Sequence, residues 1–162
     1  TCGTAEAKTL SRAVAAQAIT LVRAGTPPAL PLTPDAKLLV VETPTADGLG
    51  RALNVPFIVV DEQPTREQRQ SALSMARDGR PVILALADAA RYPRQRELVE
   101  AFTETASPVI VVALRTPYDL AGMAEGPALL ATYGLNPPLL EALLAVLRGE
   151  AEPQGQLPVE LP

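Results

Sequence analysis

The sequence predicts a three-layer α/β/α sandwich on a mostly parallel sheet of five or six strands. Three observations carry this. Apolar runs of strand length recur along the chain, capped helical segments separate them, and 162 residues supply the core of one domain. The runs are KLLVVE at 37–42, VPFIVVD at 55–61, VILALA within 80–87 and PVIVVAL at 108–114. Each is apolar on both alternating faces, as strands covered by helices on both sides are.

The first helix is predicted over 6–23, where Ala7, Leu10, Val14, Ala18 and Leu21 recur at three- and four-residue spacing. Ala15, Ile19 and Val22 widen that stripe, Thr4 caps its start, and Arg23 with Gly25 suits its end. Prolines at 27, 28 and 31 forbid further helix and give an extended lead-in to the first strand. A second helix is predicted over 66–78, because Thr65 and Gln68 have capping-box spacing and Gly79 stands at the exit. A third is predicted over 93–106, with Pro93 in its first turn and a stripe of Leu98, Phe102 and Ala106. Residues 115–120 form a loop directly after a strand. Residues 128–133 read as a further strand near the sheet edge. Asn136 caps a last helix that opens on Pro137 and Pro138, carries Leu140, Leu143 or Leu144, and Leu147, and stops at Gly149. The Pro/Gly-punctuated tail leaves room for a short edge strand at 157–161. Alternation of strand and helix, without a repeat or linker, gives a single flavodoxin-like domain.

Composition removes several chemistries. There is no histidine, so no Ser-His or Cys-His nucleophile system can form within the chain. With one cysteine and no histidine there is no Cys/His zinc site and no internal disulfide. The formal charge of -4 comes without a basic block, which argues against a nucleic-acid partner. No run reaches membrane-span length, so no membrane partner is expected. Neither G-x-G-x-x-G nor G-x-x-x-x-G-K-[ST] occurs, so dinucleotide and nucleotide cradles are missing and no cofactor or metal is expected. Aromatics are 3% of residues, too few for a broad stacking platform. Compartment stays open, since a chain without disulfides fits a reducing or an oxidising one.

Some residues stand where open α/β sheets collect ligands, at the carboxyl ends of strands. Asp61 and Glu62 follow one run and Asp88 another; both sites read first as solvated strand ends. A polar crevice forms if Asp61 and Asp88 converge. Arg115, Tyr118 and Asp119 follow the PVIVVAL run. Arg115 can fork onto a carboxylate, its own or a ligand's, and Tyr118 can stack or hydrogen-bond. The simpler expectation is that Arg115 pairs with Asp119, which holds the loop against a neighbouring domain. Tyr133 with Gly134 reads as a strand end and turn, Asp47 with Gly48 as a turn, and Cys2 as an inert terminal thiol.

Four segments, taken in order, resemble one known family. They are AITLVR at 18–23 followed by LPL at 30–32; VALRTPYDL at 112–120, similar to a strand and R-x-PYD loop; ATYG at 131–134; and VLRGE at 146–150 with Pro153, Gly155 and LPV at 157–159. The chain resembles the C-terminal α/β sandwich domain of family 3 glycoside hydrolases, in the branch related to β-N-acetylhexosaminidases. The resemblance implies a partner: an N-terminal TIM-barrel domain of the same parent protein, through which the carbohydrate substrate is met. That barrel would supply the aspartate nucleophile and, in this branch, a histidine acid/base. The expected role here is accessory, with no catalytic residue in the chain and with Arg115, Tyr118 and Asp119 at the substrate or interdomain surface. A start at Thr1 suggests a fragment or processed product. Other branches place a glutamate acid/base in this domain; Glu97, Glu100, Glu104 and Glu125 stand in no motif of that kind. The alternative is a stand-alone small-ligand or protein-interaction module of flavodoxin-like fold. A complete small enzyme is the least compatible reading.

Overall fold

The four apolar runs form four consecutive strands of one six-stranded sheet, from its middle to one edge. In the computed structural model, which describes residues 3–46 and 48–161, they give β2 (Leu39–Glu42), β3 (Phe57–Val59), β4 (Val82–Leu86) and β5 (Val109–Ala113). Cys2 and Asp47 lie outside the described residues. Two further strands are β1 (Thr20–Arg23) and β6 (Ala128–Ala131), and the strand order is β1-β6-β5-β4-β2-β3. All pairings are parallel except that of β1 with β6.

The helices are α1 (Ala5–Ala18), α2 (Leu49–Leu53), α3 (Arg66–Met75), α4 (Arg94–Thr103) and α5 (Pro137–Leu147). Their starts follow the expected caps. Thr4 Oγ1 accepts from Ala7 N–H at 3.2 Å. Thr65 and Gln68 form a reciprocal capping box, at 3.2 Å and 3.0 Å. Asn136 Oδ1 accepts from Leu139 N–H at 3.1 Å. Gly79 and Gly149 follow α3 and α5 with φ of 74° and 72°. Both α3 and α4 stop about three residues short of the expected ends, and Ala106 is exposed beyond its helix.

Two expectations are corrected. Residues 20–23 are not the last turn of α1 but the edge strand β1, paired as Thr20 with Ala131 and Leu21 with Leu130. The apolar spacing there serves both periods, and the β-branched Thr20 and Val22 suit the extended state. Ile19, with φ -64° and ψ 117°, is the residue where the chain leaves the helix. The strand expected near the sheet edge, β6, does lie there, with β1 outside it. Second, no strand forms at 157–161 among the described residues. The tail is fixed instead by Gly155, whose N–H donates to Ile19 O at 2.9 Å. A Cβ at Gly155 would collide with Thr20 Oγ1 and the Ala18 carbonyl, so only glycine permits that approach. The short helix α2 was not expected at all.

Side chains alternate through the central strands into two cores. Val82, Leu84 and Leu86 of β4 join Val109 and Val111 on one face, under Ala72 of α3 and Leu98, Val99 and Phe102 of α4. Ile83, Ala85, Ile110 and Val112 face the other way, under Leu49 of α2 and Leu143, Val146 and Leu147 of α5. Every residue of β2, β4, β5 and β6 is buried. This is the three-layer α/β/α sandwich. Helix α1 lies outside these layers, packed against α5, with Ala15 its one buried residue. No helix among the described residues is long and apolar enough to cross a membrane.

Phe102 is fully buried, whereas Leu10 on α1 is 67% exposed. Phe102→Ala is expected to cost about 3–5 kcal/mol by emptying the core beneath α4. Leu10→Ala is expected to change stability by no more than about 0.5 kcal/mol. Urea unfolding of the two variants checks the contrast.

Candidate functional site at the carboxyl edge of the sheet

In the parallel part of the sheet the chain passes from β2 out to β3, then returns to β4 on the other side of β2. The carboxyl ends of β2 and β4 therefore flank the topological switch point, where such sheets leave a crevice. Here a buried polar network fills it. Glu42, fully buried, accepts from Leu49 N–H (3.1 Å) and Gly50 N–H (3.2 Å) at the start of α2. Gln95, also fully buried, donates through Nε2 to Ala87 O at 2.9 Å and to Glu62 O and Oε2 at 3.1 and 3.2 Å. Glu62 Oε1 accepts from the backbone N–H of Thr45 at 2.9 Å and from its hydroxyl. These bonds tie the ends of β2, β3 and β4 together.

The next strand ends are more open. The parallel register pairs Leu86 with Ala113 and Ala113 with Ala131. Asp88, Arg115 and Tyr133 each stand two residues beyond that row, so they share one level at the carboxyl edge. Asp88 and Tyr133 have φ of 59° and 60°, a left-handed backbone that is uncommon for side chains of their size. Arg115 Nη1 donates to Asp88 Oδ2 at 2.9 Å. Side-chain exposures of 57% and 32% leave the rest of this pair in reach of solvent. The Tyr133 hydroxyl lies 3.4 Å from Thr20 Oγ1.

The loop after β5 closes as a 3-10 turn over Pro117–Leu120, capped by Thr116, whose Oγ1 accepts from Tyr118 N–H at 3.4 Å. That turn exposes Tyr118 at 46% and buries Asp119 completely. Asp119 Oδ2 accepts from Asp88 N–H at 3.0 Å and Oδ1 from Ala90 N–H at 3.1 Å. Burial pushes the Asp119 carboxyl above its ordinary range. The two backbone N–H donors oppose that rise, and the nearby Asp88 charge adds to it. Elsewhere, Asp78 is held down to about 2 by its hydrogen bond to Arg80 in an exposed turn.

Of the residues singled out by sequence, Asp88, Arg115, Tyr118 and Asp119 come together. The expected pair of Arg115 with Asp119 is replaced. Arg115 takes Asp88, and Asp119 takes the backbone on either side of Ala89. Asp61 stands apart. It is exposed, its N–H donates to Gln68 Oε1 at 3.4 Å, and no hydrogen bond or ion pair joins it to Asp88 among the described residues. The crevice expected between these two aspartates is occupied by Gln95 and Glu62. Glu97 pairs with Arg69 and Glu125 with Arg23, both at exposed carboxylates. Sequence reasoning passed over Glu42 and Gln95. A charged residue closing an apolar run and an amide in the first turn of a helix were the available signals.

The polar groups of the arrangement are largely engaged with one another. Both oxygens of Asp119 are taken by amides, one oxygen of Asp88 is on Arg115, and the chain has no histidine. Among the described residues no three His, Cys, Asp or Glu side chains converge as a metal site. What is presented outward is a guanidinium fork held by a carboxylate, beside an exposed phenol. That set hydrogen-bonds to hydroxyl-rich or carboxylate-bearing surfaces.

Asp119→Ala leaves the Asp88 and Ala90 N–H groups without an acceptor and is expected to cost about 1–3 kcal/mol. The pH dependence has a defined sign. The folded carboxyl titrates above the unfolded one, so the native state binds more protons across that interval. The contribution of this titration to stability is largest in acid and falls as pH rises through the folded titration. Urea midpoints of wild type and Asp119→Asn, followed from acid to neutral pH, are expected to show this fall in the wild type relative to the variant.

No protein-family model matches the sequence, and no curated protein does. Solved structures do. A family 3 β-N-acetylglucosaminidase from Paenibacillus sp. str. FPU-7 superposes with a TM-score of 0.87 and 26% identity, over 99% of this chain and 34% of that one. A fungal multi-domain family 3 β-N-acetylglucosaminidase gives 0.81 and 26%, over 98% of this chain and 19% of that one. A β-glucosidase from Listeria innocua shares the fold, with a TM-score of 0.73 at 16% identity over 93% of this chain. The chain thus spans about a third or less of the length of the structures it matches. With near-complete coverage of this chain and partial coverage of those, the chain is similar to one domain, the α/β sandwich, of family 3 β-N-acetylglucosaminidases.

Proposed function

We propose that this chain is the accessory α/β sandwich of a longer hydrolase that removes terminal β-linked N-acetylhexosamine residues. Bond cleavage belongs to a TIM-barrel domain of the same polypeptide. The observation that carries this reading is the superposition at a TM-score of 0.87 on a β-N-acetylglucosaminidase of which the matched region is 34%. The chemistry of the chain agrees with it. A retaining glycosidase needs two carboxylates about 5 Å apart across the sugar, one of them a free nucleophile. At this edge Asp119 is buried against backbone amides and Asp88 is held by Arg115. In this reading Asp119 is a positioning residue. Arg115 and Tyr118 form the outward surface, bracing the barrel and shaping one wall of its cleft.

The test compares the 162-residue domain with the longer gene product on an aryl β-N-acetylglucosaminide. Turnover is expected only in the longer product; turnover by the domain alone overturns the reading. Within the longer product, Arg115→Ala removes a surface ion pair worth about 0–1 kcal/mol, so the fold is expected to survive. If the residue forms the cleft wall, kcat/KM falls about tenfold, about 1.4 kcal/mol, chiefly through KM. Steady-state kinetics beside a melting curve separates the two effects.

A further inference from the structure

Helix α1 is built to face something other than this domain. Its apolar residues Ala7, Leu10, Val14 and Ala18 follow helical spacing and so make one stripe. Leu10 and Val14 are 67% and 59% exposed, and neither belongs to either core. The stripe lines an apolar groove of about 490 Å³ between α1 and α5, walled on the far side by Pro138 and Leu139. Arg12 of α1 pairs with Glu141 of α5 at 2.9 Å, outside the residues that line the groove.

The anchoring of α1 is slight. Ala15 is its one buried residue, and fourteen residues are a marginal length for a helix on its own. The β-N-acetylglucosaminidase that the chain resembles is much longer than the matched region, which makes up 34% of it, so most of such a polypeptide lies outside the part described.

We infer that the stripe of Leu10 and Val14, with the groove beside it, is the seat of an apolar surface of the remaining part of the same polypeptide. This rests on the reading of the chain as one domain of a longer hydrolase. Docking there completes the burial of α1 and suppresses its local opening.

The test follows amide hydrogen exchange of residues 5–18 in the isolated domain, whose two-sided core is complete, and in the longer gene product. Exchange is expected to be at least tenfold slower in the longer product. The double variant Leu10→Gln with Val14→Gln keeps good helix formers on α1. It is expected to abolish that protection in the longer product, while the melting temperature of the isolated domain stays unchanged. Equal exchange of α1 in the two wild-type proteins overturns the inference. So does protection that survives the double variant. Sedimentation showing that the stripe dimerises the longer product assigns the seat to a second copy and also overturns it. Hydrolysis of the aryl substrate is scored separately. A protected α1 in an inactive longer product keeps the docking seat and removes the hydrolase reading, and an active product with an unprotected α1 does the reverse.

Discussion

Both oxygens of Asp119 are held by backbone N–H groups of Asp88 and Ala90. This one carboxylate joins the turn after β5 to the turn after β4. Everything at the open part of the sheet edge is referred to it. Asp88 can sit in a left-handed conformation because its own N–H is held. Its side chain is then free to take Arg115, and the 3-10 turn that buries Asp119 is the same one that turns Tyr118 outward. The two backbone donors offset part of the cost of burying this carboxylate, which burial still raises above its ordinary range.

The switch point beside it follows another logic. Sheets of this topology offer a crevice there, but Glu42, Glu62 and Gln95 close it with hydrogen bonds of their own. The carboxylates and amide at the switch point are thus committed to bonds within the domain. Arg115 and Tyr118 reach solvent one strand further along the edge, after β5.

Much of this was legible in the sequence because the signals were local. Thr4, Thr65 with Gln68, and Asn136 each cap the helix that their spacing announces, and the four apolar runs are four adjacent strands of the sheet. Failures came where a partner distant in sequence decides. Residues 20–23 satisfy helical and extended periods alike, and only the presence of β6 selects the strand. Arg115 and Asp119 are near enough in sequence to suggest a pair. The arginine instead takes Asp88, 27 residues away, because the parallel register sets their strand ends side by side. Glu42 looked like the ordinary end of an apolar run, since nothing local shows that a short helix will point two amides at it.

The contact at Gly155 has a consequence for solubility. An antiparallel edge strand presents unpaired amides and carbonyls along its outer side, an invitation to pair with another molecule. The tail lies against that side where β1 begins, held to Ile19 and fitted against Thr20 by the absence of a side chain. The opposite edge, β3, is only three residues long. One border of the sheet is thus kept from self-association by brevity and the other by a length of irregular chain that occupies the vacancy without continuing the ladder.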